Sequence, residues 1–374
     1  MTDRSSPVAA ARRLVVKVGS SLLVDQGSGA IHRKWMEALA ADIARCRARG
    51  QEIIVVSSGA VAAGRKHLNL SPPLRLDEKQ AAAATGQIRL AHAWQEILAA
   101  YGITVAQILL TIEDSEDRQR YINARNTLET LLKLNAVPVI NENDSVATAE
   151  IRFGDNDRLA ARVAQMTGAD ALVLLSDIDG LYSADPRRNP DARFIAEVRD
   201  LTDEIEAMAG NPGSSYGSGG MVTKLAAARI CLAAGCKMAI ALGSPLHPLE
   251  RIEQGDRCTW FLPKTEPMAS RKRWIQGALS PAGALAVDDG AVQALQRGGS
   301  LLPAGVTGID GDFQAGDCVL IRDGRNRVLG RGLAAYAAAD AVKIIGRKST
   351  EFESVLGYRG RDELIHRDDL VMGA

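Results

Sequence analysis

The chain has 374 residues, more than one average domain holds, so two domains are expected. Hydrophobic residues make up 46% and charged residues 24%, the balance of an ordinary soluble globular protein. Lys+Arg and Asp+Glu number 45 each, which gives no support to a general nucleic-acid binder, although a local basic site stays open.

The first two-thirds alternates strand-like and helix-like segments. Residues 14–18 form a short apolar run that ends in Gly-Ser-Ser, and 32–49 show a helical pattern closed by Gly50. Residues 53–56 are a second strand, stopped by Ser57-Ser58-Gly59, and 77–100 are Ala-rich and helical. A third strand is expected at 103–110, a helix at 119–134, a fourth strand at 137–140, a helix at 156–167 and a fifth strand at 171–175. Residues 219–234 place Leu225, Ala228 and Leu232 on one helix face and lead into a strand at 238–241. Continuous Val/Ile/Leu runs between helices imply a parallel sheet covered on both faces, so residues 1–262 read as an α/β sandwich. Residues 263–276 contain two prolines and Arg271-Lys272-Arg273 and read as a linker. Short strands with close Asp-Gly and Gly-Gly turns follow, a small mostly-β domain over 277–360, with a hairpin expected about residues 323–326. Residues 361–374 read as a C-terminal tail.

The five cysteines, Cys46, Cys231, Cys236, Cys258 and Cys318, are odd in number and show no CxxC spacing, so they read as reduced thiols rather than a zinc site. The N-terminal MTDRSSPVAAARR has no apolar core of a signal peptide. No apolar run reaches the roughly 18 residues that a membrane span needs. A cytoplasmic protein without membrane attachment is expected.

In sheets of this kind ligands bind beyond the carboxyl ends of the strands, and four strands here end in residues suited to phosphate chemistry. Lys17 sits inside the first strand ahead of Gly19-Ser20-Ser21, where it would neutralise phosphate charge; the alternative is a lysine that snorkels to solvent. Ser57 to Gly64 form a strand-to-helix turn that suits a phosphate or carboxylate, or is a plain capped turn. Asn141-Glu142-Asn143-Asp144 and Gly154-Asp155-Asn156-Asp157 are dense polar clusters thirteen residues apart. They suit an α-amino group and the holding of lysines, against the simpler reading of Asx turns. Ser176-Asp177 ends the fifth strand, and Gly217 to Lys224 is a glycine-rich run entering a helix, either a lid over an anion or a surface loop. No GxxxxGK[ST] or GxGxxG signature is present.

Taken in order, these segments resemble the amino acid kinase family, and within it the members that phosphorylate glutamate. The carrying stretches are VVKVGSSLL at 15–23, VSSGAVAAGR at 56–65, PVINENDSVATAEIRFGDNDRLAA at 138–161, LLSDIDGLYSADPR at 174–187 and GSGGMVTKLAAA at 217–228. RKRWI at 271–275, SLLPAGV at 300–306 and HRDDL at 366–370 extend the likeness over nearly the whole chain, and the small domain resembles a PUA domain. The resemblance implies a three-layer αβα sandwich with a mainly parallel sheet. It also implies transfer of the ATP γ-phosphoryl group to the glutamate side-chain carboxylate, the opening step of proline biosynthesis. Lys17 and Lys224 would stabilise the transferring and leaving oxygens, with Asp157 holding both lysines. Ser58, Asp144 and Asn156, with Asn141 nearby, would bind glutamate. Lys17, Ser176, Asp177, Ser218, Gly219, Gly220, Met221, Val222, Thr223 and Lys224 would bind ATP, with Mg²⁺ carried by the nucleotide. Val222 stands where many relatives have Ser, which removes one polar contact near ATP. Proline as inhibitor, a homodimer or homotetramer, and hand-over of the labile product to the next enzyme are further implications.

The acceptor carboxylate is ionised at neutral pH, so no general base is required, and His32, His67, His92, His247 and His366 all lie outside the clusters. Two alternatives remain at the level of sequence. One is the same chemistry on another amino-acid carboxylate, such as aspartate or N-acetylglutamate. The other is RNA binding through the PUA-like domain. Residues 275–374 hold 11 Lys+Arg and 13 Asp+Glu, which favours a regulatory or assembly module over a phosphate-backbone binder.

Overall fold

The computed structural model describes residues 6–146, 155–209, 220–264 and 281–373, in two compact units, Met1–Pro267 and Met268–Ala374. In the first unit, Val/Ile/Leu runs become strands because branched side chains pack well on a sheet buried on both faces. The strands are β1 Arg13–Val18, β2 Glu52–Val56, β3 Val105–Leu110, β4 Val137–Glu142, β5 Ala171–Ser176, β6 Leu181–Tyr182, β7 Phe194–Ile195, β8 Glu197–Val198, β9 Lys237–Leu242 and β10 Cys258–Phe261. Eight of them form one sheet in the order β3-β4-β2-β1-β5-β9-β10-β8. The pairs from β3 through β9 are parallel, whereas β10 runs antiparallel to β9 and carries β8 parallel to itself. The sequence reading contained neither β8 nor β10: two and four residues are too few to show a period.

Alternation along each strand sorts side chains to two cores. Leu14, Val16, Ile53 and Val55 pack with Met36, Leu39 and Ile43 of the Arg33–Ala48 helix and Leu90, Trp94 and Leu98 of the Leu76–Ala99 helix. Val15, Ile54, Val56 and Leu174 pack on the other side with the Arg118–Lys133, Asp155–Thr167 and Met221–Ala234 helices. This is the three-layer αβα sandwich. Lys17 follows Val15 by two residues and so belongs to the second side.

One helix crossing fixes the geometry near the strand ends. A Cβ on Gly64 would overlap the Ala82 carbonyl oxygen and lie 2.6 Å from the Gly86 nitrogen, and one on Gly86 would overlap the Ala60 carbonyl oxygen. The short Ala60–Arg65 helix and the long Leu76–Ala99 helix therefore meet backbone to backbone, which only glycine permits. Arg89 Nη1 adds a hydrogen bond to the Ala63 carbonyl at 2.6 Å.

In the second unit β11 Gly283–Val287, β12 Val306–Asp310, β13 Cys318–Arg322, β14 Val328–Leu333 and β15 Leu370–Met372 form a sheet in the order β12-β11-β13-β14-β15. The expected hairpin is the antiparallel β13–β14 pair. The segment 361–374, read from sequence as a tail, supplies β15, which pairs with β14 and buries Leu370 and Val371. Three residues framed by His-Arg-Asp-Asp and Gly carry no legible strand period, so only pairing reveals them. Of the expected linker, residues 265–276 lie outside the described residues. All five cysteines are free thiols, four of them buried. Among the described residues no helix is long and apolar enough to cross a membrane.

Candidate active site

The sheet order, not the chain order, assembles the site. β4, β2, β1 and β5 are neighbours, so Asn141, Ser57-Ser58, Lys17 and Ser176 project from adjacent carboxyl ends. Lys17 points to the side covered by the Asp155–Thr167 and Met221–Ala234 helices. Asp157 lies on the buried face of the first, with Ala160, Ala161 and Ala164. Lys224 shares a buried face of the second with Met221, Leu225 and Ala228, the i, i+3, i+4, i+7 positions of an apolar stripe. Three ionic groups thus occupy positions that packing alone would fill with hydrocarbon.

They pair with each other. Lys17 Nζ is 2.6 Å from Asp157 Oδ1, and Lys224 Nζ is 3.0 Å from Oδ2. Thr223 Oγ1 donates to the same Oδ2 at 3.0 Å. Asp157 is 1% exposed, Lys17 8% and Lys224 7%. Burial pushes the Asp157 carboxyl up, but the two ammoniums outweigh it and hold it at about 2. Burial pushes the Lys17 ammonium down, and Lys224 adds to that, while Asp157 opposes both. Two ammoniums against one carboxylate leave the cluster with one positive charge in excess, in a dry setting where each buried ion costs several kcal/mol. An anion placed there would remove the imbalance.

Beside the cluster lies a cavity of about 280 Å³, a volume suited to a small metabolite. Lys17, Ser58, Asn141, Asp144 and Asn156 all line it, so the residues expected to bind the acceptor come together in one place. Gly59, at φ +89°, makes the turn that presents Ser58. Asn156 Nδ2 reaches the Ser57 carbonyl at 2.9 Å, Ser58 Oγ at 2.9 Å and Asn141 Oδ1 at 3.0 Å. Its Oδ1 is buried and accepts nothing among the described residues, a situation that costs about 1–3 kcal/mol and that a ligand donor would relieve. The lining is amphoteric: Asn141, Glu142, Asp144 and Asn156 suit an ammonium, and Lys17, Arg65 and Lys79 suit carboxylates. No histidine lines it.

The nucleotide side is partly described. Ser176 is buried, and its Oγ donates to Asp177 Oδ1 at 3.0 Å; Asp177 in turn pairs with Arg187 at 3.0 Å. Gly220 precedes the helix, Met221 is buried, Val222 is 38% exposed, and the Gly220 carbonyl lies 3.1 Å from Thr223 Oγ1 and accepts from Lys224 Nζ at 3.4 Å. Ser218 and Gly219 lie outside the described residues. The one group among the described residues with metal-like spacing of His and carboxylates is Asp42, His247 and Glu250. Its Asp42 accepts the Leu249 and Glu250 N–H groups and so caps the Pro248–Glu253 helix.

Sequence reading passed over Gln87, Trp94, Arg65 and Lys79. Gln87 Oε1 accepts from Asn141 Nδ2 at 2.7 Å, and Trp94 Nε1 donates to Ser57 Oγ at 3.3 Å. The one signal available was a glutamine among buried Ala83, Gly86, Leu90 and Trp94 on the inward face of an Ala-rich helix. The Thr223 bond to Asp157 carried no sequence signal.

The family model described as the amino acid kinase family matches residues 12–241, and that of the PUA domain matches residues 283–356. The chain belongs to the amino acid kinase family. Glutamate 5-kinases are among its relatives there. It is 71% identical to that of Paramagnetospirillum magneticum over 98% of this chain and 99% of the relative. The glutamate 5-kinase of Rhodospirillum rubrum is 60% identical over 96% of each chain. That of Gluconobacter oxydans is 58% identical over 98% of this chain and 97% of the relative.

Proposed function

We propose that this chain is an ATP-dependent kinase that phosphorylates the side-chain carboxylate of L-glutamate, giving L-glutamyl 5-phosphate and ADP, the first step of proline biosynthesis. The observation that carries the reading is the buried Lys17–Asp157–Lys224 cluster, one positive charge in excess, opening on an amphoteric cavity.

The chemistry follows from the groups present. A carboxylate oxygen of glutamate attacks the γ-phosphorus of ATP, the bond to the β,γ-bridging oxygen breaks, and its electron pair leaves on ADP. No proton moves, because the acceptor is already ionised at neutral pH. Catalysis is therefore alignment and charge neutralisation. Lys17 lies between cavity and cluster, the place to bridge the acceptor and the transferring phosphoryl group. Lys224 stabilises the leaving oxygen, and Asp157 keeps both ammoniums in register. Ser58, Asn141, Asp144 and Asn156 hold the amino-acid end of glutamate. Ser176, Asp177 and the Ser218–Gly219–Gly220–Met221–Val222–Thr223–Lys224 run bind the nucleotide, which brings Mg²⁺ with it as part of the substrate. Proline, a cyclic amino acid with the same ammonium and carboxylate, competes for the same cavity. The chain works as a homodimer or homotetramer in the cytoplasm, and the labile acyl phosphate passes to the next enzyme.

The test is ADP release from Mg-ATP with L-glutamate, L-aspartate or N-acetyl-L-glutamate, with Lys17→Ala as control. Turnover that favours free glutamate and is lost in the variant supports both acceptor and phosphate site. Turnover confined to another acceptor leaves the lysine roles and overturns the glutamate reading.

A further inference from the structure

We infer that Gln87 is a positioning residue of the amino-acid subsite: it locks the Asn141 amide with its oxygen on the Asn156 NH₂, which leaves the Asn156 oxygen for the substrate ammonium. The inference rests on the reading that the cavity takes an amino acid.

The argument is one of hydrogen-bond polarity. A backbone carbonyl only accepts, so the Ser57 carbonyl, 2.9 Å from Asn156, fixes the Asn156 NH₂ on that side. The same NH₂ faces Asn141 Oδ1 at 3.0 Å, which turns the Asn141 NH₂ away. Gln87 Oε1 receives that NH₂ at 2.7 Å. Without an acceptor at this position, the Asn141 amide is free to turn over. Donor would then face donor against Asn156, whose amide would be left to the Ser57 carbonyl and Ser58 Oγ alone. Its Oδ1, buried and without a donor among the described residues, is the atom left to receive the substrate ammonium.

The helix that carries Gln87 is built to hold it still. The neighbouring Gly86 lies in backbone contact with Gly64, and Arg89 clamps the Ala63 carbonyl. Trp94, two turns along the same face, donates to Ser57 Oγ. One helix face therefore backs two of the three residues that meet the Asn156 amide, Ser57 through Trp94 and Asn141 through Gln87. Neither Gln87 nor Trp94 lines the cavity, although Lys79 of the same helix does.

Steady-state kinetics of the full chain test this with Gln87→Met, similar in length but without the oxygen, Gln87→Asn, one methylene too short, and Gln87→Glu, which keeps an acceptor. The expected result is a tenfold or greater rise in KM for L-glutamate in Q87M and Q87N. KM for ATP should stay within twofold and Tm within about 2 °C, since a part-buried side chain with one bond contributes little to global stability. Q87E should bring KM for L-glutamate back to within threefold. A glutamate KM unchanged in both Q87M and Q87N overturns the inference, as does an equal rise in Q87E. A joint rise of both KM values with a fall in Tm assigns Gln87 a structural role only. If the wild type uses another amino acid instead, the proposed function fails by itself, and the same comparison is read on that acceptor's KM.

Discussion

Asp157→Asn removes one charge and leaves every other atom of the cluster in place. Holding Asp157 at about 2 rather than the usual 3.8 corresponds to roughly 2 kcal/mol of stability at neutral pH. Asn also leaves two buried ammoniums facing each other without a counter-ion, which brings the expected loss to about 3 kcal/mol. For a unit of this size that is a fall in Tm of about 6–12 °C. The sign of the pH dependence follows from the lowered folded value. The contribution is complete above about pH 4 and disappears as pH falls through 2, so the gap between wild type and D157N narrows in acid. Lys17 gives the opposite signature. Burial lowers its pKa and Asp157 raises it, so in D157N the Lys17 ammonium is lost at a lower pH than in wild type. The alkaline decline of kcat/KM for Mg-ATP, which reports the free enzyme, should begin at lower pH, on top of a loss of activity of about 100-fold or more. Thermal unfolding from pH 7 to 3 and a pH–rate profile make the test. A Tm within 2 °C of wild type and an unmoved alkaline limb would refute the account of the cluster as mutually compensating charges.

Lys17→Ala should lower kcat by about 100-fold or more in the ADP-release assay, while KM for glutamate changes far less, because the ammonium acts chiefly on charge developing at phosphate. Gly86→Ala pushes a methyl group into the Ala60 carbonyl and should lower stability by about 1–3 kcal/mol or more. Both its Tm and its glutamate affinity should fall, in contrast to Q87M. Arg13→Ala breaks a buried set in which Arg13 pairs with Glu52 at 2.7 Å and Glu129 at 2.6 Å and donates to the Thr167 carbonyl. It should cost about 3 kcal/mol in urea unfolding and leave KM for both substrates unchanged, since this set sits at the opposite end of β1 from Lys17. In filter binding, the full chain should show no tight, salt-sensitive retention of RNA, as its near-neutral C-terminal region lacks the charge to release counterions; tight binding that weakens steeply with salt would contradict this.

The sequence by itself determined the layers and marked out most of the candidate site residues. Runs such as 14–18 and 171–175 are apolar at every position or nearly so, which only a strand buried on both faces requires, and the helices between them carry their own period. Lys17 was legible because a charge inside such a run is out of place, and Lys224 because a glycine-rich run feeds its helix. The short edge strands β8 and β10 and the late strand β15 were not, since a few residues hold no period and take their conformation from the strand beside them. Tertiary structure alone decided the strand order that sets β4 beside β2 and β2 beside β1, and with it the meeting of residues 17, 157 and 224 around one carboxylate. It alone brought Gln87 to Asn141, 54 positions away, because a hydrogen bond at 2.7 Å between two elements depends on how closely two glycines let their helices approach, and no local pattern encodes that distance.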